Sequence, residues 1–299
     1  DGIRDSVASR GLGDVYKRQE YSDGQKFNLH FDKEKHGYFL VEGHKRTPIQ
    51  SVTRVIDACY PKNLHEWSVR EGANKFKEIL SEQGFIRNEK PEVDQICEKI
   101  VGAYKDVSSQ AANIGDIVHD LIDKRLSWAD TAHGLGWVVD ADREVEEENS
   151  HGDEVSSCMS AFFDWAKSRK VKFLASEHMV YHHAENPIYR FAGKLDAVVS
   201  INDKIFIVDF KTSKKIYKHY HLQVAAYAAA FRKGKSVNRM GYIEEMPVDG
   251  MILRLDKKTG KFQEKAFSLS NRNHFNIFKN CLEIKAWNSK RIMGVKHVN

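Results

Sequence analysis

The chain lacks most of the short signatures that announce a function at once. Its four cysteines, Cys59, Cys97, Cys158 and Cys281, are scattered through 299 residues, and no two form a CxxC pair. That spacing excludes a zinc ribbon and a disulfide framework, and it fits free thiols in a reducing compartment. No run of about 18 uncharged apolar residues is present, so the sequence offers no membrane-spanning helix. GxSxG, GxxxxGK[ST] and HExxH are all missing, which sets aside a serine nucleophile elbow, a nucleotide-phosphate loop and a zincin helix. Without a phosphate loop no ATP hydrolysis is expected, and any helicase action belongs to a partner protein. There is also no internal repeat, no low-complexity tract and no charged-then-apolar start of the signal-peptide kind.

Net charge is scarce too. The 47 Lys and Arg against 42 Asp and Glu leave +5, too little to announce a nucleic-acid binder. The charge is uneven, however. Between Asp140 and Glu154 stand eight acids and one base, Arg143, so this window carries −7 and the rest of the chain +12. The window reads as a solvated acidic loop, and the remaining surface is distinctly basic. Hydrophobic residues make up 41% and charged residues 30%, an ordinary globular composition. The length suits one large domain or two small ones.

Residues 1–19 are rich in Gly, Ser, Asp and Arg without an apolar period, and are expected to be an arm or a non-native leader. Phe27–Phe31 and Gly37–Val41 read as a hairpin. Ser51 is placed to cap a helix, and further helices are expected over 64–80 and from Pro91 to about Leu126. Ala161, Phe162, Trp165 and Ala166 recur at helical spacing, giving an amphipathic helix near 153–170. Strands rich in Val, Ile, Phe and Tyr follow over 171–181, 189–200 and 204–211. A helix through Leu222–Ala230, strands over 251–255 and 262–267, and a closing helix over 275–287 complete the order. The expected class is α/β in one domain over 20–299. It has a helical front part at about 45–150, a catalytic core at about 153–268 and a C-terminal helix at about 271–290.

The densest chemical signal is Gly193-Lys-Leu-Asp196 followed by Asp209-Phe-Lys211. Asp209 and Lys211 are two apart, so a strand points both to one face. A hairpin turning at Asn202-Asp203 sets Asp196 directly opposite Asp209, with Cβ atoms about 5 Å apart. A register slip of one residue would break that pairing. Two adjacent carboxylates repel unless neutralised, and hard oxygen ligands suit Mg²⁺ or Mn²⁺. A neighbouring lysine can stabilise a phosphate oxygen or position an attacking water, the parts of metal-assisted phosphodiester hydrolysis. Taken alone, Asp209 and Lys211 equally suit a surface salt bridge, although the apolar Phe206–Val208 and Phe210 around them speak against an exposed strand.

This arrangement resembles the PD-(D/E)XK nuclease superfamily, in particular its RecB-like and phage-type exonuclease branch. The matching pieces are Glu177 on the first core strand, Asp196 in Gly193-Lys-Leu-Asp196, Asp209-Phe-Lys211, the Gln223…Tyr227 helix, and His119 in Gly115-Asp-Ile-Val-His119. The resemblance covers about residues 111–235. It implies a restriction-endonuclease-like core, a mixed central sheet flanked by helices, and a metal site of one or two Mg²⁺ or Mn²⁺ ions. His119, Asp196, Asp209 and the Phe210 carbonyl would form that site. The resemblance also implies Lys211 as the catalytic lysine, Glu177 as a supporting carboxylate, and Gln223 and Tyr227 as buttresses of the lysine and the DNA end. By spacing alone, His119 also suits a core or surface histidine, and Gln223 and Tyr227 suit packing. Some relatives hold an iron–sulfur cluster on one upstream cysteine and three near the C-terminus; only Cys281 is near the end here, so neither a cluster nor a nucleotide cofactor is expected.

Lys211, Lys214, Lys215 and Lys218 are interleaved with Tyr217, His219, Tyr220 and His221. Bases mixed with aromatics fit a single-strand groove, although a solvated loop has the same composition. The pairs His182–His183 and His219/His221 lack a third ligand and read as surface or DNA-side histidines. The expected activity is a metal-dependent DNA exonuclease acting on single-stranded ends, with a recombination or helicase partner and no membrane. It would work in the cytoplasm of a bacterial or phage-infected cell. A structure-specific endonuclease and a non-catalytic DNA-binding subunit of a repair complex are the competing readings.

Overall fold

The computed structural model describes residues 14–21, 26–60, 65–84, 90–133, 152–235, 248–270 and 273–289. The chain opens with four strands: β1 (Asp14–Tyr21), β2 (Lys26–Asp32), β3 (Gly37–Glu42) and β4 (Lys45–Ser51). They run as an antiparallel meander, with β1 also touching the two-residue β8 (Gly234–Lys235). Within the expected leader, residues from Asp14 onward form a strand on β2, and its residues 1–13 lie outside the described residues. The stretch expected to begin the helical front also opens as a strand, β4, which contains Pro48. Most of the acidic window, residues 140–151, lies outside the described residues.

Ser51 then starts α1 (Val52–Cys59), its hydroxyl accepting the Arg54 N–H at 3.2 Å, which satisfies one of the first-turn donors. Two long helices follow, α2 (His65–Gln83) and α3 (Lys90–His133), packed on each other. Next come α4 (Asp153–Arg169), β5 (Lys172–His182), β6 (Phe191–Ile201), β7 (Lys204–Lys211) and α5 (His219–Lys233). The strands β9 (Val248–Leu255) and β10 (Phe262–Phe267) and the helix α6 (Asn273–Asn288) close the described chain. Among the described residues no helix is long and apolar enough to cross a membrane.

The strands form one mixed sheet in the order β10-β9-β7-β6-β4-β3-β2-β1-β8, with β5 on the other edge of β6. The β6–β7 hairpin turns at Asn202 and Asp203, both with positive φ (50° and 60°), the backbone that a two-residue turn between right-twisted strands requires. Its register, Ala197↔Val208 through Ile201↔Lys204, is the one expected from the turn.

Two clusters sandwich the core strands. One gathers Ile114, Val118, Leu121 and Ile122 of α3 and Phe162 and Trp165 of α4 against Val199, Val208, Phe210 and Leu253. The other packs Val52 and Val55 of α1, Ala226 and Phe231 of α5, and Phe278 and Leu282 of α6 against Val198, Ile207 and Ile252. Helices on both faces leave β7 inaccessible to solvent over most of its length, so its near-continuous apolar run is that of a strand covered on both sides. His182, read from the sequence as a surface or DNA-side histidine, is instead buried. Its ring stacks on Phe191 at 4.6 Å and its Nδ1 bonds the Tyr189 carbonyl at 3.0 Å; burial pulls its pKa down to about 4, so it is a neutral core residue.

Candidate active site

Strand β6 has one edge fully taken by β5. Its other edge is shared: β7 pairs with 197–201, and β4 pairs in parallel at Phe191 and Ala192. Between these two partners lies Gly193-Lys194-Leu195-Asp196, a stretch of sheet edge left open inside the sheet. Asp196 fills part of this gap by accepting the Phe210 N–H at 2.7 Å through Oδ2, replacing a ladder bond with a side-chain bond. Gly193 is required there, because a Cβ would meet the Tyr227 ring at 2.4 Å.

The side-chain alternation also reverses at this point. Leu195 and Val198 of β6 belong to the cluster under α1 and α5, whereas Ala197, Val199 and Ile201 belong to the one under α3 and α4. On β5, the Ser176 hydroxyl donates to Asp123 of α3 at 2.5 Å, while His178 rests against Phe231 of α5 at 5.8 Å. Regular strands would put Ser176 and His178 on one face. Glu177 between them has φ +45°, a left-handed backbone that costs a non-glycine residue about 1–3 kcal/mol. The register Ser176↔Ala197 and His178↔Leu195 leaves Glu177 across from Asp196, so both strands change face at the same rung.

His119 of α3 arrives from the other layer. Its Nδ1 lies 3.6 Å from Asp196 Oδ1, and its ring packs 6.1 Å from Phe210. Ligand atoms of His119, Glu177 and Asp196 all lie within 4.8 Å of one another, a spacing that can hold one metal ion. Burial pulls the His119 pKa down, but the Asp196 charge and hydrogen bond outweigh it and leave it above the usual value. Burial likewise opposes the Asp196 charge, yet His119, Lys211 and the Phe210 N–H together hold its pKa below the carboxylate norm.

Asp209 is completely buried, and burial pushes its pKa up to about 6; Lys211 opposes that rise and Asp196 adds to it. Lys211 Nζ lies 2.7 Å from Asp209 Oδ2, but neither carboxylate oxygen has a well-directed hydrogen bond. The lysine is itself largely enclosed. Its burial is outweighed by Asp209 and Asp196, so its pKa is raised and it stays charged. Behind this pair, Gln223 Nε2 donates to the Tyr227 hydroxyl at 3.1 Å on α5. Tyr227 is buried, which drives its phenol well above its usual pKa. Lys214 and Lys215 lie exposed beyond the end of β7.

The structure thus brings His119, Glu177, Asp196, Asp209 and Lys211 together at one opening in the sheet. Phe210 takes part through its N–H, which donates to Asp196. Sequence reading missed Lys194, two residues before Asp196 on β6, which forms an ion pair with Glu177. Its two-residue spacing from Asp196 was the available signal, but nothing in the sequence predicts that Glu177 is turned toward it.

No curated protein matches the chain. Among solved structures, one described as the crystal structure of SSO0001 aligns at 13% identity with a TM-score of 0.26. The alignment covers 44% of this chain and 62% of that one. The sequence model of the PD-(D/E)XK nuclease superfamily matches residues 96–289, a span running from the second turn of α3 to the end of α6 and containing all the residues just described. The mixed sheet with helices on both faces is the architecture that such a core requires. The chain belongs to the PD-(D/E)XK nuclease superfamily.

Proposed function

We propose that the chain is a divalent-metal-dependent DNA exonuclease that hydrolyses phosphodiester bonds from single-stranded ends, in recombination, repair or phage DNA processing. The observation that carries this reading is the meeting of His119, Glu177 and Asp196 beside the buried Asp209–Lys211 pair. Superfamily membership supports metal-dependent nuclease chemistry on DNA. The residues suit a cation on their own terms: Asp209 is a buried carboxylate whose oxygens lack well-directed hydrogen bonds, and it stays costly to ionise even with the Lys211 ammonium 2.7 Å away, so further positive charge beside it is favourable.

His119 would offer a ring nitrogen, and Asp196 and Glu177 carboxylate oxygens, with Asp209 and the Phe210 carbonyl completing the set. This mixture accepts Mg²⁺ or Mn²⁺, as one ion or two. When bound, such an ion supplies Lewis-acid charge at the scissile phosphate and lowers the pKa of a coordinated water. Lys211 stays protonated and points its ammonium at the developing negative charge, steadying the attacking water. Glu177 and Lys194 hold one another at the rim, and Gln223 and Tyr227 fix the wall behind Lys211. Lys214 and Lys215 contact the phosphate backbone beyond the cut.

The test is digestion of DNA labelled at either end, single- and double-stranded, with Mg²⁺ or Mn²⁺. Stepwise release of nucleotides from a linear single strand, with a covalently closed circle left intact, supports the reading. Cleavage of the circle makes the enzyme an endonuclease. Undiminished activity in excess EDTA rules out the metal mechanism.

A further inference from the structure

We propose that Tyr60, His219 and Tyr217 form a base-stacking subsite that holds unpaired bases next to the catalytic strand. The proposal rests on the nuclease reading and adds to it the place where the bases sit. Tyr60 ends α1, its N–H closing onto the Ile56 carbonyl at 2.8 Å. The other two rings come from the approach to α5, far away in sequence. Tyr217 stacks on His219 at 5.7 Å with planes 20° apart, and His219 lies 6.1 Å from Tyr60 at 31°. A stacked pair and a third, tilted ring thus adjoin one another in a row drawn from two distant segments.

The row is not core packing. Tyr60 is 42% exposed and Tyr217 37%, so both rings reach solvent. It adjoins the site through Tyr220, whose ring meets His219 at 4.6 Å and Tyr217 at 5.6 Å, and carries the Lys211 ammonium 5.0 Å above it. The surroundings favour a polyanion: residues 211–221 contain four lysines and no acid, and Lys215 Nζ lies 5.3 Å over the Tyr217 ring. Rings for bases and lysines for phosphates, alternating along one short segment, are what a single strand needs. A lysine resting on a ring is displaced by a base and remains close enough to take the adjoining phosphate.

The spacing decides how bases add. Inserting a base between two rings needs about 7 Å, two steps of about 3.4 Å. The observed 5.7 Å and 6.1 Å are too small, so bases extend the row at its exposed ends, Tyr217 and Tyr60. Within a duplex only the terminal pair keeps a free face and it is held rigidly in its helix, whereas an unpaired strand can turn its bases onto either end of the row, so the subsite favours unpaired ends.

The test is fluorescence titration of the full chain with a single-stranded oligonucleotide carrying 2-aminopurine near its end, in EDTA so that nothing is cut. A blunt duplex serves as the comparison. Tyr217→Ala and Tyr60→Ala are expected each to weaken single-strand binding about 5- to 100-fold. Tyr217→Phe and Tyr60→Phe stay within about twofold of wild type, since the ring and not the hydroxyl stacks. Duplex binding and the salt dependence of single-strand binding stay unchanged in all four variants, because no phosphate contact is lost. The proposal is overturned if both alanine variants bind the single strand as tightly as wild type while metal-dependent cleavage persists, or if they lose single strand and duplex equally. If the wild-type chain neither binds nor cuts nucleic acid with Mg²⁺ or Mn²⁺, the nuclease reading itself has failed and the subsite goes with it.

Discussion

Replacing Asp209 with asparagine separates the catalytic role of this carboxylate from its structural cost. A carboxyl moved from 3.8 to about 6 by burial, with the attraction of Lys211 already included, costs the folded state on the order of 3 kcal/mol once ionised. Between about pH 4 and 6 the folded protein therefore binds more protons at this position than the unfolded chain. Stability from this group is fully present below the unfolded pKa and is lost as pH rises through about 6. Asparagine has nearly the shape of the protonated acid and never ionises. In EDTA at pH 8, Asp209→Asn is thus expected to melt about 6–12 °C above wild type, at about 2–4 °C per kcal/mol. The advantage should shrink to nothing near pH 4. Mn²⁺ should raise the melting temperature of wild type more than that of the variant, because the buried charge then finds its cation. Cleavage by the variant should be abolished. Thermal unfolding followed by circular dichroism at pH 4, 6 and 8, with EDTA or Mn²⁺, checks every step. A variant no more stable than wild type at pH 8 in EDTA would refute the reasoning, since Asp209 would then be no burden to the metal-free fold.

Lys211→Met keeps the length of the side chain while removing its charge, and is expected to abolish cleavage while leaving the melting temperature of the Mn²⁺-loaded protein within a few degrees of wild type. Gly193→Ala forces a Cβ onto the Tyr227 ring and should cost about 1–3 kcal/mol in urea unfolding, as overpacking does. Thiol titration of the native protein should modify the exposed Cys97 rapidly and spare Cys158, which burial pushes up to about 12; Cys158 should react only after denaturation.

The legible parts of the fold were those set by short-range rules. Ser51 capped its helix, the turn at Asn202-Asp203 fixed the β6–β7 register, and the apolar spacing of Ala161, Phe162 and Trp165 marked α4. Residues 14–21 were illegible because β1 is bordered on its outer side only by the two-residue β8: DVYKRQEY owes its place to pairing with β2 rather than to an apolar pattern of its own. His182 was misplaced for a related reason, since a histidine in a polar pair gives no sign that Phe191 and the Tyr189 carbonyl will enclose it. Likewise the ring row depends on Tyr60, and no local pattern connects the end of α1 to the start of α5.

Within the site, correct register was not the whole geometry. Pairing arithmetic placed Asp196 opposite Asp209, but a regular hairpin would have pointed both carboxylates to one face of a continuous ladder. The sheet instead opens where β4 and β7 divide one edge of β6, and the rung formed by Glu177 and Asp196 reverses the faces of both strands. That reversal lets a helix packed on one face, α3, deliver His119 to carboxylates whose partner lysine is backed by α5 on the other. The left-handed Glu177 and the ladder bond replaced at Asp196 are local costs. Irregularity of this kind concentrates where a fold serves chemistry. Both costs fall at the one opening where ligands from the two layers converge.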